Sequence, residues 1–133
     1  MKVLGFAFDS REPSDHLPYF FPANSVCYTG THDNMTTRQW FDTASKDAVK
    51  YATEFMALTE EEGLVWGVIR TAFASVSNLA IVQMQDYLDL GAEARMNLPG
   101  STGGNWAWRM KPGAAGDALA EHLHEMNVKA ERI

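Results

Sequence analysis

The sequence predicts an α/β fold in which parallel strands alternate with helices, and three observations carry this. Val3 to Phe8 is almost continuously apolar instead of alternating, the pattern of a strand covered on both faces of a parallel sheet. Two further β-prone runs, Ser25 to Thr31 and Leu79 to Met84, end in polar or glycine-containing segments. Between these runs the apolar residues recur at helical spacing, and crossovers through helices are how parallel strands are joined.

The elements follow in order. After the first strand, Asp9 to Pro22 holds Pro13, Pro18 and Pro22 around a Tyr19-Phe20-Phe21 cluster, which reads as a long aromatic loop of the kind that tends to be functional. The second strand, Ser25 to Thr31, carries Gly30 near its end and leads into His32-Asp33-Asn34. Thr36 and Thr37 can cap a helix carrying Trp40 and Phe41, and Ser45 can cap the next, where Ala48, Val49, Ala52, Phe55 and Met56 recur at helical spacing. Thr59-Glu60-Glu61-Glu62 reads as a capping box, so a helix should start there. Its apolar positions Leu64, Val65, Val68, Ile69, Ala72, Phe73 and Val76 form a broad stripe suited to packing on a sheet. The strand Leu79 to Met84 is followed by a helical turn over Asp86 to Leu90, ended by Gly91. Arg95 to Met110 is a glycine-rich loop with tryptophans, and a last helix, about Ala114 to Met126, sets Leu119, Leu123 and Met126 on one face. No repeat, heptad pattern or low-complexity tract interrupts this order.

Composition limits the class of function. The 133 residues are enough for one modest core, with 46% hydrophobic and 21% charged residues. No window approaches the roughly 20 apolar residues of a membrane span, so no membrane association is expected. The N-terminal apolar run is cut off by Asp9, Arg11 and Glu12 before it reaches the length of a secretory signal. A single cysteine, Cys27, lies within a predicted strand, which excludes an intrachain disulfide, fits a reducing compartment and makes a poor nucleophile. A net charge of −6 argues against nucleic acid and permits a neutral ligand such as a sugar.

The polar cluster His32-Asp33-Asn34 at a strand terminus admits two readings. One is a catalytic or ligand-clamping site, since ligands bind beyond the carboxyl ends of parallel strands and a carboxylate there can stabilise a developing cation. The other is an Asx cap for the following helix, with His32 a hydrogen-bonded core residue. A metal centre is disfavoured, because His122 and His124 are two apart on a helix and cannot face one ligand together. Pro99-Gly100-Ser101-Thr102-Gly103-Gly104-Asn105 lacks the lysine of a phosphate-binding loop and reads as a flexible substrate-side loop or a structural turn. Trp106 and Trp108 could stack on sugar rings, but beside glycines they read first as packing residues.

Taken together, Gly30-Thr31-His32-Asp33-Asn34, the Gln85-Asp86-Tyr87-Leu88 stretch, Arg95-Met96-Asn97-Leu98-Pro99-Gly100, Asn105-Trp106 and Trp108-Arg109 resemble, in order and spacing, the C-terminal part of the 4-α-glucanotransferases. These are the amylomaltases or disproportionating enzymes of the α-amylase clan. The resemblance covers essentially the whole chain; Met35, Gln39 and Ala107 depart from residues common in the family. It implies that the fold is the C-terminal portion, about three strand-helix units, of a (β/α)₈ barrel. It also implies a retaining transfer of an α-1,4-glucan segment to the 4-hydroxyl of another glucan or glucose, without a cofactor or metal. By matching position Asp33 would stabilise the oxocarbenium-like transition state, His32 would hydrogen-bond the same sugar, and Asn97 would lie beside the substrate groove.

The resemblance further implies that the nucleophilic Asp and the acid/base Glu lie on earlier strands, upstream of residue 1. A full barrel takes about 250 residues. Residues 1–133 are therefore expected to be one C-terminal fragment of a cytoplasmic glucanotransferase barrel, inactive alone and prone to self-association through its open sheet edges. The other reading is a non-catalytic carbohydrate-binding or regulatory remnant of the same family.

Overall fold

The computed structural model describes residues 1–8 and 14–133 and shows the expected α/β arrangement. Three short parallel strands, β1 (Lys2–Val3), β2 (Val26–Tyr28) and β3 (Leu79–Ile81), form one sheet in chain order. Lys2 pairs with Cys27 and Val3 with Tyr28, while Val26, Cys27 and Tyr28 pair with Leu79, Ala80 and Ile81. Among the described residues five α-helices accompany the sheet: α1 (Thr37–Thr43), α2 (Lys46–Met56), α3 (Leu64–Ala74), α4 (Met84–Tyr87) and α5 (Asp117–Lys129).

Each strand is shorter than its apolar run. Of the expected strand Val3 to Phe8 only Val3 is paired, with Lys2 before it, and Leu4–Phe6 form a 3₁₀ turn closed by the Ala7 amide donating to Leu4 O at 2.9 Å. Val3, Leu4, Ala7 and Phe8 are nonetheless buried, so burial explains the composition equally well in either backbone form. The Gly5 amide still reaches Thr29 O at 3.2 Å, the last rung of the ladder before the chain turns away. Ser25 to Thr31 narrows to Val26–Tyr28, and Leu79 to Met84 to Leu79–Ile81, because Met84 already opens α4. Of the predicted loop from Asp9 to Pro22, residues Asp9 to Pro13 lie outside the described residues. The remainder forms a 3₁₀ turn over Pro18–Phe20 that buries Leu17 and Phe21 while Tyr19 and Phe20 point outward.

The helix caps follow the sequence where a hydroxyl precedes the helix. Thr36 accepts from the Gln39 amide at 3.2 Å and Ser45 from the Ala48 amide at 3.2 Å. The capping box is only half made. Thr59 Oγ1 accepts from the Glu62 amide, but the Glu62 carboxylate turns away to Arg70 at 2.8 Å, and Gly63 at φ 93° defers the helix to Leu64. Val76 lies beyond the end of α3 and is exposed instead of completing its stripe. The last helix starts three residues later than the spacing predicts, since Gly113 takes φ 76° in a turn and Gly116 is extended at the cap.

α3 is the central element of the core. Val68 and Ala72 face a cluster with Leu4, Phe8, Cys27, Ala52 and Met56, while Val65, Ile69 and Phe73 face Ala80, Tyr87 and Met126. Arg132 ties the C-terminal tail to the end of α3 by donating to Phe73 O at 2.6 Å and Ser75 O at 2.8 Å, carbonyls that the helix itself leaves free. Cys27 is fully buried, and that burial pushes its thiol up to about 11, which suits an inert core residue. Among the described residues no helix is long and apolar enough to cross a membrane.

Candidate active site

The site forms where β2 gives way to the segment 30–36. Asn34 Oδ1 accepts from the Thr31 amide at 2.8 Å and the Thr31 hydroxyl at 3.0 Å, and the Asn34 amide donates to Thr31 O at 3.1 Å. This closes a tight turn through Asn34, so the local structural work of the cluster belongs to the amide. His32 and Asp33 sit at its apex with side chains 54% and 49% exposed. Helix capping is done by Thr36, two residues before which the turn has ended. The geometry therefore leaves the Asp33 carboxylate free of a capping role and the His32 ring outside the core.

A second segment meets this apex from far along the chain. Asn97 Nδ2 donates to Asp33 Oδ1 at 2.7 Å, the Asn97 amide donates to His32 O at 3.1 Å, and Arg95 Nη2 donates to Asp33 O at 2.8 Å. His32 Nε2 stands 3.4 Å from Asp33 Oδ1. Asp33, His32 and Asn97 are thus brought together at one exposed point beyond the carboxyl end of a central parallel strand. Among the described residues no group of three or more His, Cys, Asp or Glu side chains could hold a metal ion.

Trp106 completes the rim. Its ring centroid lies 5.0 Å from that of His32 at 38°, and the residue is 54% exposed. This is a more open position than a packing role predicts; Trp108 is half-buried. The Trp106 backbone takes φ 59°, an uncommon conformation for a bulky residue, and is held there by its amide donating to Met96 O at 2.7 Å and its carbonyl accepting from Arg109 at 3.0 Å. The glycine-rich segment before it is ordered by Asn105, whose Oδ1 accepts from the Leu98 amide at 2.9 Å and whose Nδ2 donates to Ser101 Oγ at 3.0 Å.

Beneath the apex lies Asp86, a fully buried carboxylate on α4 to which sequence reasoning gave no role. It accepts from the Thr29 hydroxyl at 2.7 Å, the Thr37 amide at 2.8 Å and the Thr37 hydroxyl at 2.9 Å. One side chain therefore fastens the residue before the 30–36 segment and the first residue of the helix after it. Burial lifts its carboxyl above the ordinary carboxylate value, and the hydrogen bonds from Thr29 and Thr37 pull against that rise. Nothing in the local sequence announces partners 57 and 49 residues upstream. Arg95 was equally silent, although its two-residue spacing from Asn97 on an extended segment puts both on one side.

Comparison with known proteins points to one family. The sequence model of one family, described as 4-alpha-glucanotransferase, matches residues 1–115. The 4-alpha-glucanotransferase of Clostridium butyricum is 46% identical over 127 residues, covering 95% of this chain and 26% of that protein. That of Synechocystis is 47% identical over 124 residues, covering 92% and 25%, and that of Thermus thermophilus 41% over 140 residues, covering 100% and 28%. Among solved structures, the amylomaltase from Streptococcus agalactiae, determined in complex with acarbose, superposes with a TM-score of 0.93 at 35% identity, covering 98% of this chain and 27% of that one. The chain thus spans about a quarter of the length of these relatives.

Proposed function

The chain belongs to the 4-alpha-glucanotransferase family, and from that premise we propose that it forms the strand-helix units of a (β/α)₈ barrel that contribute one catalytic carboxylate, Asp33, to retaining transfer between α-1,4-glucans. The observation that carries the reading is the convergence of Asp33, His32 and Asn97, with Asn97 Nδ2 2.7 Å from Asp33 Oδ1, at the carboxyl end of the sheet.

Retaining chemistry uses a nucleophilic carboxylate and an acid/base carboxyl about 5–5.5 Å apart across the scissile bond. In this reading both come from other strands of the barrel. Asp33 accepts hydrogen bonds from the hydroxyls of the distorted glucose, and its negative charge offsets the positive charge that develops at the anomeric carbon and ring oxygen. The Asn97 amide occupies one lone-pair direction of Oδ1 and so fixes the carboxylate plane before substrate arrives. His32, at 3.4 Å from the same oxygen, donates to a neighbouring hydroxyl of that sugar. The covalent glucosyl-enzyme is then opened by the 4-hydroxyl of an acceptor glucan or of glucose.

The test is Asp33→Asn in the complete enzyme. The amide keeps the shape and loses the charge, so kcat on maltotriose is expected to fall at least about 100-fold, roughly 3 kcal/mol of transition-state stabilisation, while KM changes little. A variant with near-normal kcat and only a raised KM would make Asp33 a ground-state contact and remove it from the chemistry.

A further inference from the structure

We propose that Arg95 is a positioning residue for the transfer reaction: it sets the placement of Asp33 against Asn97 by binding the backbone of both. This inference rests on the catalytic reading of Asp33 given above. The two site segments are 64 residues apart in sequence at Asp33 and Asn97. Arg95 joins them through two different atoms of one planar group. Nη2 donates to Asp33 O at 2.8 Å and Nε donates to Asn97 O at 2.9 Å. A guanidinium holds these donors in a fixed fork, so the separation of the two carbonyls is set by the geometry of the group itself.

The consequence falls on the carboxylate. Asp33 and Asn97 also share a side-chain bond at 2.7 Å, and the Asn97 amide reaches His32 O at 3.1 Å. Without Arg95 those two bonds and the Trp106 ring against His32 remain, but none of them holds the backbone of Asp33 itself. Asp33 is half exposed, so its own packing does little to hold it in place. Arg95 supplies the attachment at the Asp33 backbone, through its bond to Asp33 O at 2.8 Å. Lysine cannot replace it, because its ammonium is a single point on a flexible stem and cannot meet both carbonyls in one plane.

The experiment compares Arg95→Ala and Arg95→Lys with wild type in the complete enzyme, using maltotriose, with kcat and KM determined separately and folding followed by circular dichroism. Loss of alignment at the reacting centre is expected to lower kcat in both variants by about 100-fold while KM stays within about twofold. Guanidinium ion at non-denaturing concentration is expected to restore part of the Arg95→Ala rate and none of the Arg95→Lys rate, whose side chain fills the space. Normal kcat in folded Arg95→Ala, or a loss of thermal stability with kcat per folded molecule unchanged, overturns the proposal. Failure of both variants to fold also overturns it, by making Arg95 a structural residue. If wild type itself transfers no glucan, the reading of Asp33 fails first, and that outcome is distinct from an active wild type with indifferent Arg95 variants.

Discussion

Asp86 decides how firmly the site segment is held. It is fully buried, and its three hydrogen bonds bracket residues 30–36 at Thr29 and Thr37. Asp86→Ala would leave the Thr37 amide and two hydroxyls without their acceptor, and a loss of about 3 kcal/mol in unfolding free energy is expected. The charge has a separate signature. Because burial raises the folded-state carboxyl above its ordinary value of 3.8, Asp86 contributes most to stability below that value and loses that contribution as pH rises through the raised one. Asp86→Asn cannot ionise, so its unfolding free energy should compare more favourably with wild type at neutral pH than near pH 4. A difference between the two proteins that does not change with pH would mean that Asp86 is ionised in the fold without penalty.

The elements owe their boundaries to single residues at their ends. α2 starts where Ser45 accepts from the Ala48 amide, and the apolar face that follows buries Ala48, Ala52 and Met56. Ser45→Ala should therefore cost about 1 kcal/mol. Thr59 offers the informative contrast, because its hydroxyl satisfies the Glu62 amide in a turn while α3 begins only after Gly63. Thr59→Ala should cost well below the Ser45 value in the same urea titration. Equal losses would show that the Thr59 turn and α3 form one cooperative unit. The half-made box also frees Glu62 to meet Arg70 in a bidentate pair on the exposed side of α3, a contact of modest worth in water.

The whole molecule carries an open sheet. β3 lies at one edge with Leu79 52% and Ile81 41% exposed, apolar side chains beside an unpaired strand. At the other edge the Val3 amide is covered by His16, donating to Nδ1 at 3.0 Å, so that side is partly blunted. An apolar edge strand is a template for pairing with another chain. Purified alone at micromolar concentration, residues 1–133 should sediment as a species larger than a monomer. They should also release no glucose from maltotriose, because in the proposed division of groups the nucleophilic and acid/base carboxyls come from other strands of the barrel. A compact monomer by sedimentation would show that the edge is protected, and glucose above a protein-free blank would refute the division of catalytic groups proposed here.

The amino-acid sequence alone determined the alternation of strands and helices, the caps at Thr36 and Ser45, and the polar cluster at the end of β2, because each is written in neighbouring residues through periodicity or a hydroxyl next to a helix. It also carried enough spaced motifs to reveal the family. It did not reveal that Val3 to Phe8 would leave the strand after Val3, since a short apolar run is buried equally well as strand or 3₁₀ turn. Nor did it separate an Asx turn from a catalytic carboxylate within His32-Asp33-Asn34. Tertiary structure gives the turn to Asn34 through Thr31 and leaves the Asp33 side chain hydrogen-bonded to Asn97 instead of capping a helix. The arms of the site, Arg95 and Asp86, were likewise decided only by folding, because a hydrogen bond between residues about 50 to 60 positions apart depends on where the sheet brings the two segments, and no local pattern records that distance.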